Sequence, residues 1–145
     1  MDFRDFLPLA RALVNGSTEA EWRSAVSRAY YAAFHVAGGL LGKLGFIVPL
    51  GERAHGYLWL RLSNSGHPDV VSAGRDLQAL RRERNRADYD GRRPLSVSTA
   101  TSLVQTAEDI IRVLDAARND PVRTAITAAM KVYERDVLKD VTWHP

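Results

Sequence analysis

The chain has no cysteine, only six prolines and only 8% aromatic residues in 145 positions. The missing cysteines exclude disulfides and thiolate metal sites, and agree with a reducing compartment. No stretch reaches the ~18 uninterrupted apolar residues that a membrane-spanning helix needs. The opening MDFRDFLPLARAL is too charged for a signal peptide. A soluble, cytoplasmic protein with no membrane contact is therefore expected. Lysine is scarce as well. Seventeen of the twenty basic residues are arginine, a bias that suits forks to phosphate and carboxylate but also follows from GC-rich coding. The formal charge of +3 and isoelectric point near 9.5 permit an anionic partner without requiring one. The length suits one full apolar core, so residues 1–145 are expected to form a single domain.

Period-two alternation of apolar and polar residues is also lacking, which argues against strands. Helical signals run almost throughout. Leu7, Ala10, Leu13 and Val14 recur at helical spacing, and Asn15-Gly16 reads as a left-handed stop. Thr18 to Glu21 is a capping-box pattern opening the longest apolar run, from Trp22 to Leu40. Small residues along that run, Ala25, Ala29, Ala32, Ala33 and Ala37, let neighbouring helices approach, so this helix is expected at the centre. Residues 42–51 read as a loop whose Phe46-Ile47-Val48 can pack on the bundle. A third helix is expected over 52–63, and a fourth from Asp69 through Val70, Ala73, Leu77 and Leu80 to Asp90. A fifth should start near Ser96 or Ser98, and a sixth should follow Pro121 as far as Val137. Trp143-His144-Pro145 reads as a loose end. The expected fold class is all-α, an antiparallel up-and-down bundle of about four main helices plus shorter ones.

Charge is concentrated in the fourth helix. Between Arg75 and Arg93 seven arginines stand against Asp76, Glu83, Asp88 and Asp90, an excess equal to the net charge of the whole chain. Arg82 and Arg86 lie four apart, and so do Arg84 and Asp88. Such a stripe can be a solvated face laced with weak ion pairs, or it can attract a nucleic-acid backbone without reading its sequence. Arg81, Arg82 and Arg86 are the candidate nucleic-acid contacts. Near the helix end Arg84, Asn85 and Tyr89 put a fixed cation, an amide and a phenol within one turn.

The stretch LQALRRERNRADYD, together with SRAYYAAFHVAGGLL at Ser27 to Leu41, resembles the HEPN superfamily. The likeness is to its small stand-alone members with an R-x-x-A-D-Y signature, here Arg84-Asn85-Arg86-Ala87-Asp88-Tyr89. The resemblance implies a helical bundle, often a homodimer with the signature arginines around a shared cleft, that binds RNA or a nucleotide. Active members are metal-independent endoribonucleases. They are frequently the toxin of a toxin and antitoxin pair, with a small nucleotidyltransferase as antitoxin, and Tyr89 is where such a partner could attach a nucleotide. By that likeness Arg84 holds the phosphate, Asn85 orients it and Tyr89 donates a hydrogen bond or a proton. The chain departs from the ribonuclease pattern in one respect. Tyr89 stands at the earliest position for the motif histidine, and none occurs between His67 and His144. Cleavage through the 2′-hydroxyl needs a base near neutral pKa. An imidazole meets that requirement at pH 7, while a phenol, with an ordinary pKa of about 10, does not.

Other candidates carry plainer readings beside the functional ones. Arg28, Tyr31 and His35 share one face of the second helix. His35 can supply the missing imidazole if that face meets the fourth helix, and otherwise is a core or interface group. Arg28 is expected to brace the two helices through an ion pair with Asp88. His55, His67 and His144 have no metal-ligand spacing, and no metal or cofactor is expected. Tyr57 and Trp59 read as core or interface. A protein-interaction module with a structural arginine cluster remains the alternative to RNA binding. A metal hydrolase would need Glu-x-x-His pairs, which the chain lacks.

Overall fold

The capping box at Thr18 opens the central element. Thr18 Oγ1 accepts from the Glu21 amide, and Glu21 Oε1 accepts from the Thr18 amide, each at 3.2 Å. From this start α2 runs unbroken over Glu19–Leu44, in a computed structural model that describes residues 1–145. It stops at Gly45, whose φ of 108° lies in the left-handed region. A Cβ there would also lie 2.6 Å from the Trp143 indole nitrogen and from the His144 carbonyl oxygen. Backbone conformation and close approach therefore both require glycine at this position.

Before α2 lie a 3₁₀ turn, Phe3–Asp5, and α1, Phe6–Val14. After it come α3, Arg53–Ser63; α4, Pro68–Tyr89; α5, Val97–Ala116; and α6, Val122–Tyr133. A π-helical turn, Glu134–Leu138, ends at Lys139. Six α-helices thus pack as an all-α bundle, and the only β feature is one bridge between Phe46 and Trp143. Proline opens α4 at its first turn, where no backbone donor is needed. The Ser96 hydroxyl caps α5 by accepting from the Thr99 amide.

The alanines of α2 set the packing distances. Ala25, Ala29, Ala32, Ala33 and Ala37 are fully covered, and so are Ala100, Ala107 and Leu114 on α5. Short side chains on both helices bring their backbones close, and α2 is flanked by α1, α5 and α4, as its apolar run predicts. Gly74 makes a similar contact, since a Cβ there would meet the Ser63 amide of α3 at 2.6 Å. Thirty-one buried residues form one continuous cluster drawn from all six helices, the α5 cap residue Ala117 and the loop residue Phe46. In that loop Phe46 is buried and Val48 packs on the cluster, while Ile47 points outward.

Two local expectations are corrected. Gly16 has no positive φ; a side chain there would meet only the end of the Glu21 side chain, the carboxylate that closes the capping box. The C-terminus is also anchored. Glu134, fully buried, takes hydrogen bonds from Arg61, the Thr142 hydroxyl and amide, and the Trp143 amide. Trp143 donates to the Leu44 carbonyl at 2.8 Å and carries Lys131 Nζ 3.6 Å from its ring centre. An indole that can bury its ring and satisfy its one donor has reason to dock even at a chain end.

Candidate nucleic-acid interface

Helical geometry divides the signature into two faces. Residues 84 and 88 lie over one another on the side of α4 that meets α2, while 85 and 89 point away. Arg84 is only 6% exposed. Its guanidinium carbon sits 5.5 Å from the Tyr30 ring centre and 5.1 Å from that of Tyr31, and it pairs with Asp88 at 3.6 Å. Its buried Nε has no hydrogen-bond partner. Tyr31 also receives Arg28, 5.4 Å from its ring centre, so two guanidiniums share one phenol ring.

The direct pair expected between Arg28 and Asp88 is not formed. Asp88 accepts from the Ser27 hydroxyl at 3.2 Å, and Arg28 reaches the same hydroxyl at 3.5 Å while lying over Phe6. A guanidinium is weakly hydrated and stacks readily on aromatic faces, which lets ring contact replace the ion pair. His35 does not meet α4 either. Its ring stacks on Phe3 at 3.7 Å, at the other end of the shared α2 face, and burial holds its pKa below the ordinary imidazole range.

The outer face of α4 is different. Tyr89 is 79% exposed. With Asn85, Arg86, Asp90, Gly91 and Arg92 it lines a shallow open groove at the helix end. Arg86 is exposed and pairs with Glu83 at 3.0 Å; Arg92 projects into solvent beside Asp90. Arg82 is exposed as well. Arg81, by contrast, turns inward toward α3. It pairs with Glu52 at 3.3 Å, and its buried Nε has no partner.

Three residues packed around this helix were not identified from the sequence. Arg23 of α2 closes the C-terminal end of α4, donating to the carbonyls of Arg86, Ala87, Asp90 and Arg93. Glu19, held by Arg23, accepts from the Leu95 amide at 2.7 Å and so fixes the following loop. The Leu95 hydrogen bond, then Arg23, holds the Glu19 carboxyl below its usual range. These partners lie more than sixty residues away in sequence, and no local spacing signals them. The third residue is His55, on α3. Its Nδ1 is 2.5 Å from the Tyr30 hydroxyl, and its ring stacks on Phe34 at 4.5 Å. Burial, and then the charge of Arg81, push its pKa down, with Glu52 opposing and Arg84 adding to the effect. The Tyr30 phenol is pushed up by its burial. An imidazole therefore does lie beside the arginine cluster, reached through a neighbouring helix and enclosed in the core.

The arrangement holds two chemistries apart. The inner face carries a buried cation fixed among phenols. The outer face offers an exposed ring, an amide and exposed arginines, the components that stack an unpaired base and neutralise its phosphates. No helix is long and apolar enough to cross a membrane. A family model described as the HEPN domain matches residues 4–117, from the 3₁₀ turn to the end of α5. No curated protein and no solved structure matches the chain.

Proposed function

The chain belongs to the HEPN domain family, and from that premise we propose that it binds single-stranded RNA along the outer face of α4. The observation that carries this reading is Tyr89, 79% exposed at a helix end beside Asn85, Arg86 and Arg92. A phenol left so open has no packing role. A flat ring among arginines fits the face of an unpaired base, with the cations on its flanking phosphates. HEPN domains are typically ribonucleases of toxin or defence systems. We place this protein in that setting as the RNA-gripping, toxin-like component, acting as a homodimer and paired with a nucleotidyltransferase antitoxin that acts on Tyr89. Binding is favoured over cleavage by the usual route. Tyr89 stands in place of the motif histidine, and Arg84 is stacked inside the bundle instead of facing the groove.

The test is a titration of unstructured RNA at several salt concentrations, with cleavage followed in excess EDTA. Binding by this face should weaken steeply as salt rises, and Tyr89→Ala and Arg86→Ala should each reduce it. Metal-independent cleavage abolished by Arg84→Ala would instead make the inner face catalytic. A second reading, a protein-interaction module with structural arginines, is favoured by the internal stacking of Arg84 and Arg28. That reading requires RNA affinity to be absent at low salt.

A further inference from the structure

A second concave site lies at the other end of α2. A cavity of about 330 Å³ opens between the 3₁₀ turn, the last turns of α2 and the end of α5. That is within the size range of small-ligand sites, at its lower end. It shares no residue with the groove beside Tyr89. Its apolar floor is Val36, Leu40 and Leu114, and Gly39 leaves the middle of the α2 wall without a side chain. A Cβ at Gly39 would meet nothing within 4 Å, so the space above it is open.

Charge around the rim is arranged for an anion. Lys43 and Arg118 line the cavity, and neither forms an ion pair. Arg123 ties together the backbones that carry them, donating to the Lys43 carbonyl at 3.1 Å and to that of Arg118 at 3.5 Å. The two lining carboxylates are already engaged. Asp115 takes two hydrogen bonds from Arg4, at 2.9 and 2.5 Å, which against the opposing effect of burial hold its carboxyl below the usual range, with the charge of Arg118 adding to them. Asp2 caps the Arg4 amide. With Arg4 matched to Asp115, the lining cations Lys43 and Arg118 outnumber the one remaining carboxylate, Asp2, so the rim carries an excess positive charge that an anion would neutralise. One wall is aromatic. Phe3 stacks on His35 at 3.7 Å and 11°, yet stays 44% exposed.

We propose that this cavity binds a small phosphate ester carrying a flat ring. The phosphate sits between Lys43 and Arg118, and the ring lies over Val36, Leu40 and Leu114 against Phe3. Two flexible cations match a compact dianion better than a planar carboxylate, which calls for one arginine fork. The apolar floor and the aromatic wall suit a flat ring better than a ligand made of hydroxyls alone.

The experiment is calorimetric titration of the full chain with a nucleoside 5′-monophosphate, against the free nucleoside and inorganic phosphate. The monophosphate should bind about tenfold or more tighter than either control. Lys43→Ala and Arg118→Ala should each weaken it by about three- to tenfold, as loss of a charge-assisted contact does. Gly39→Leu should fill the cavity and abolish binding without lowering the melting temperature, because it replaces a helical glycine by a good helix former. Tyr89→Ala should leave it unchanged. Equal affinity for monophosphate and controls would overturn the proposal, as would wild-type affinity in Gly39→Leu. If Gly39→Leu proves unstable, wild-type affinity in Lys43→Ala, where the side chain is exposed, has the same force. Loss of binding in Tyr89→Ala would place the ligand in the α4 groove and overturn the second site.

Discussion

Arg84 and Tyr89 are five positions apart and have opposite environments, so their substitutions should separate stability from binding. Arg84→Ala removes a guanidinium stacked between two phenols and leaves Asp88 with only the Ser27 hydroxyl. It should lower unfolding stability by roughly 1–3 kcal/mol, read from urea denaturation midpoints. Tyr89→Ala touches no core group and should stay within about 0.5 kcal/mol of the parent. The same substitution should weaken single-stranded RNA binding at least about fivefold, the lower bound for one lost base stack, while Tyr89→Phe keeps most of the affinity. If Tyr89→Phe loses as much as Tyr89→Ala, the hydroxyl and not the ring makes the contact.

At the scale of elements, the end of α4 is held by another helix as well as by its own cap. The Asp90 amide closes the last turn on the Arg86 carbonyl at 2.9 Å, and the guanidinium of Arg23 gathers that carbonyl with those of Ala87, Asp90 and, in the next loop, Arg93. Arg23→Ala should therefore release residues 90–95 locally. Amide hydrogen exchange there, at Leu95 above all, should quicken by tenfold or more, corresponding to the roughly 1–3 kcal/mol attached to groups left unpaired. RNA affinity should fall with it, although the groove beside Tyr89 does not include Arg23. Unchanged exchange at Leu95 would show that Glu19 alone holds the loop.

For the whole molecule, the segment beyond residue 117 continues past the matched family domain and is joined to α3 by a buried charge pair. Arg61 Nε donates to Glu134 at 2.8 Å, and neither side chain is more than 4% exposed. Glu134→Gln leaves the arginine buried without its counter-charge and should cost about 3–5 kcal/mol, measured by thermal or urea unfolding. Burial alone would raise the Glu134 carboxyl, but hydrogen bonds from Thr142 and Arg61 outweigh it and hold the group low. Its contribution is therefore present at neutral pH and is lost as pH falls through that depressed value. His55 and His35 act in the same direction at higher pH. Burial holds both imidazoles below the ordinary 6.5, so the folded state takes up protons less readily than the unfolded one and stability should begin to fall as pH drops below about 6.5. His55→Gln, which removes the titration at the Tyr30 contact, should flatten that upper part of the profile.

Periodicity and punctuation determined the helices. The capping box at Thr18, Pro68, Ser96 and the alanine run of α2 are local signals, and each stands where its pattern placed it. The signature from Arg84 to Tyr89 was equally legible, because residue type and spacing survive in one dimension. Which way each residue faces did not follow from that spacing alone. A turn of about 100° per residue separates neighbours onto different faces, and only the position of α2 decides that Arg84 goes inward and Tyr89 outward. Arg23, His55 and the docked Trp143 belong to the same class. Their partners come from other helices, brought near by core packing that no local spacing encodes. The cavity at the far end of α2 is likewise a product of three elements meeting, with Gly39 as the one position whose small size lets it remain open.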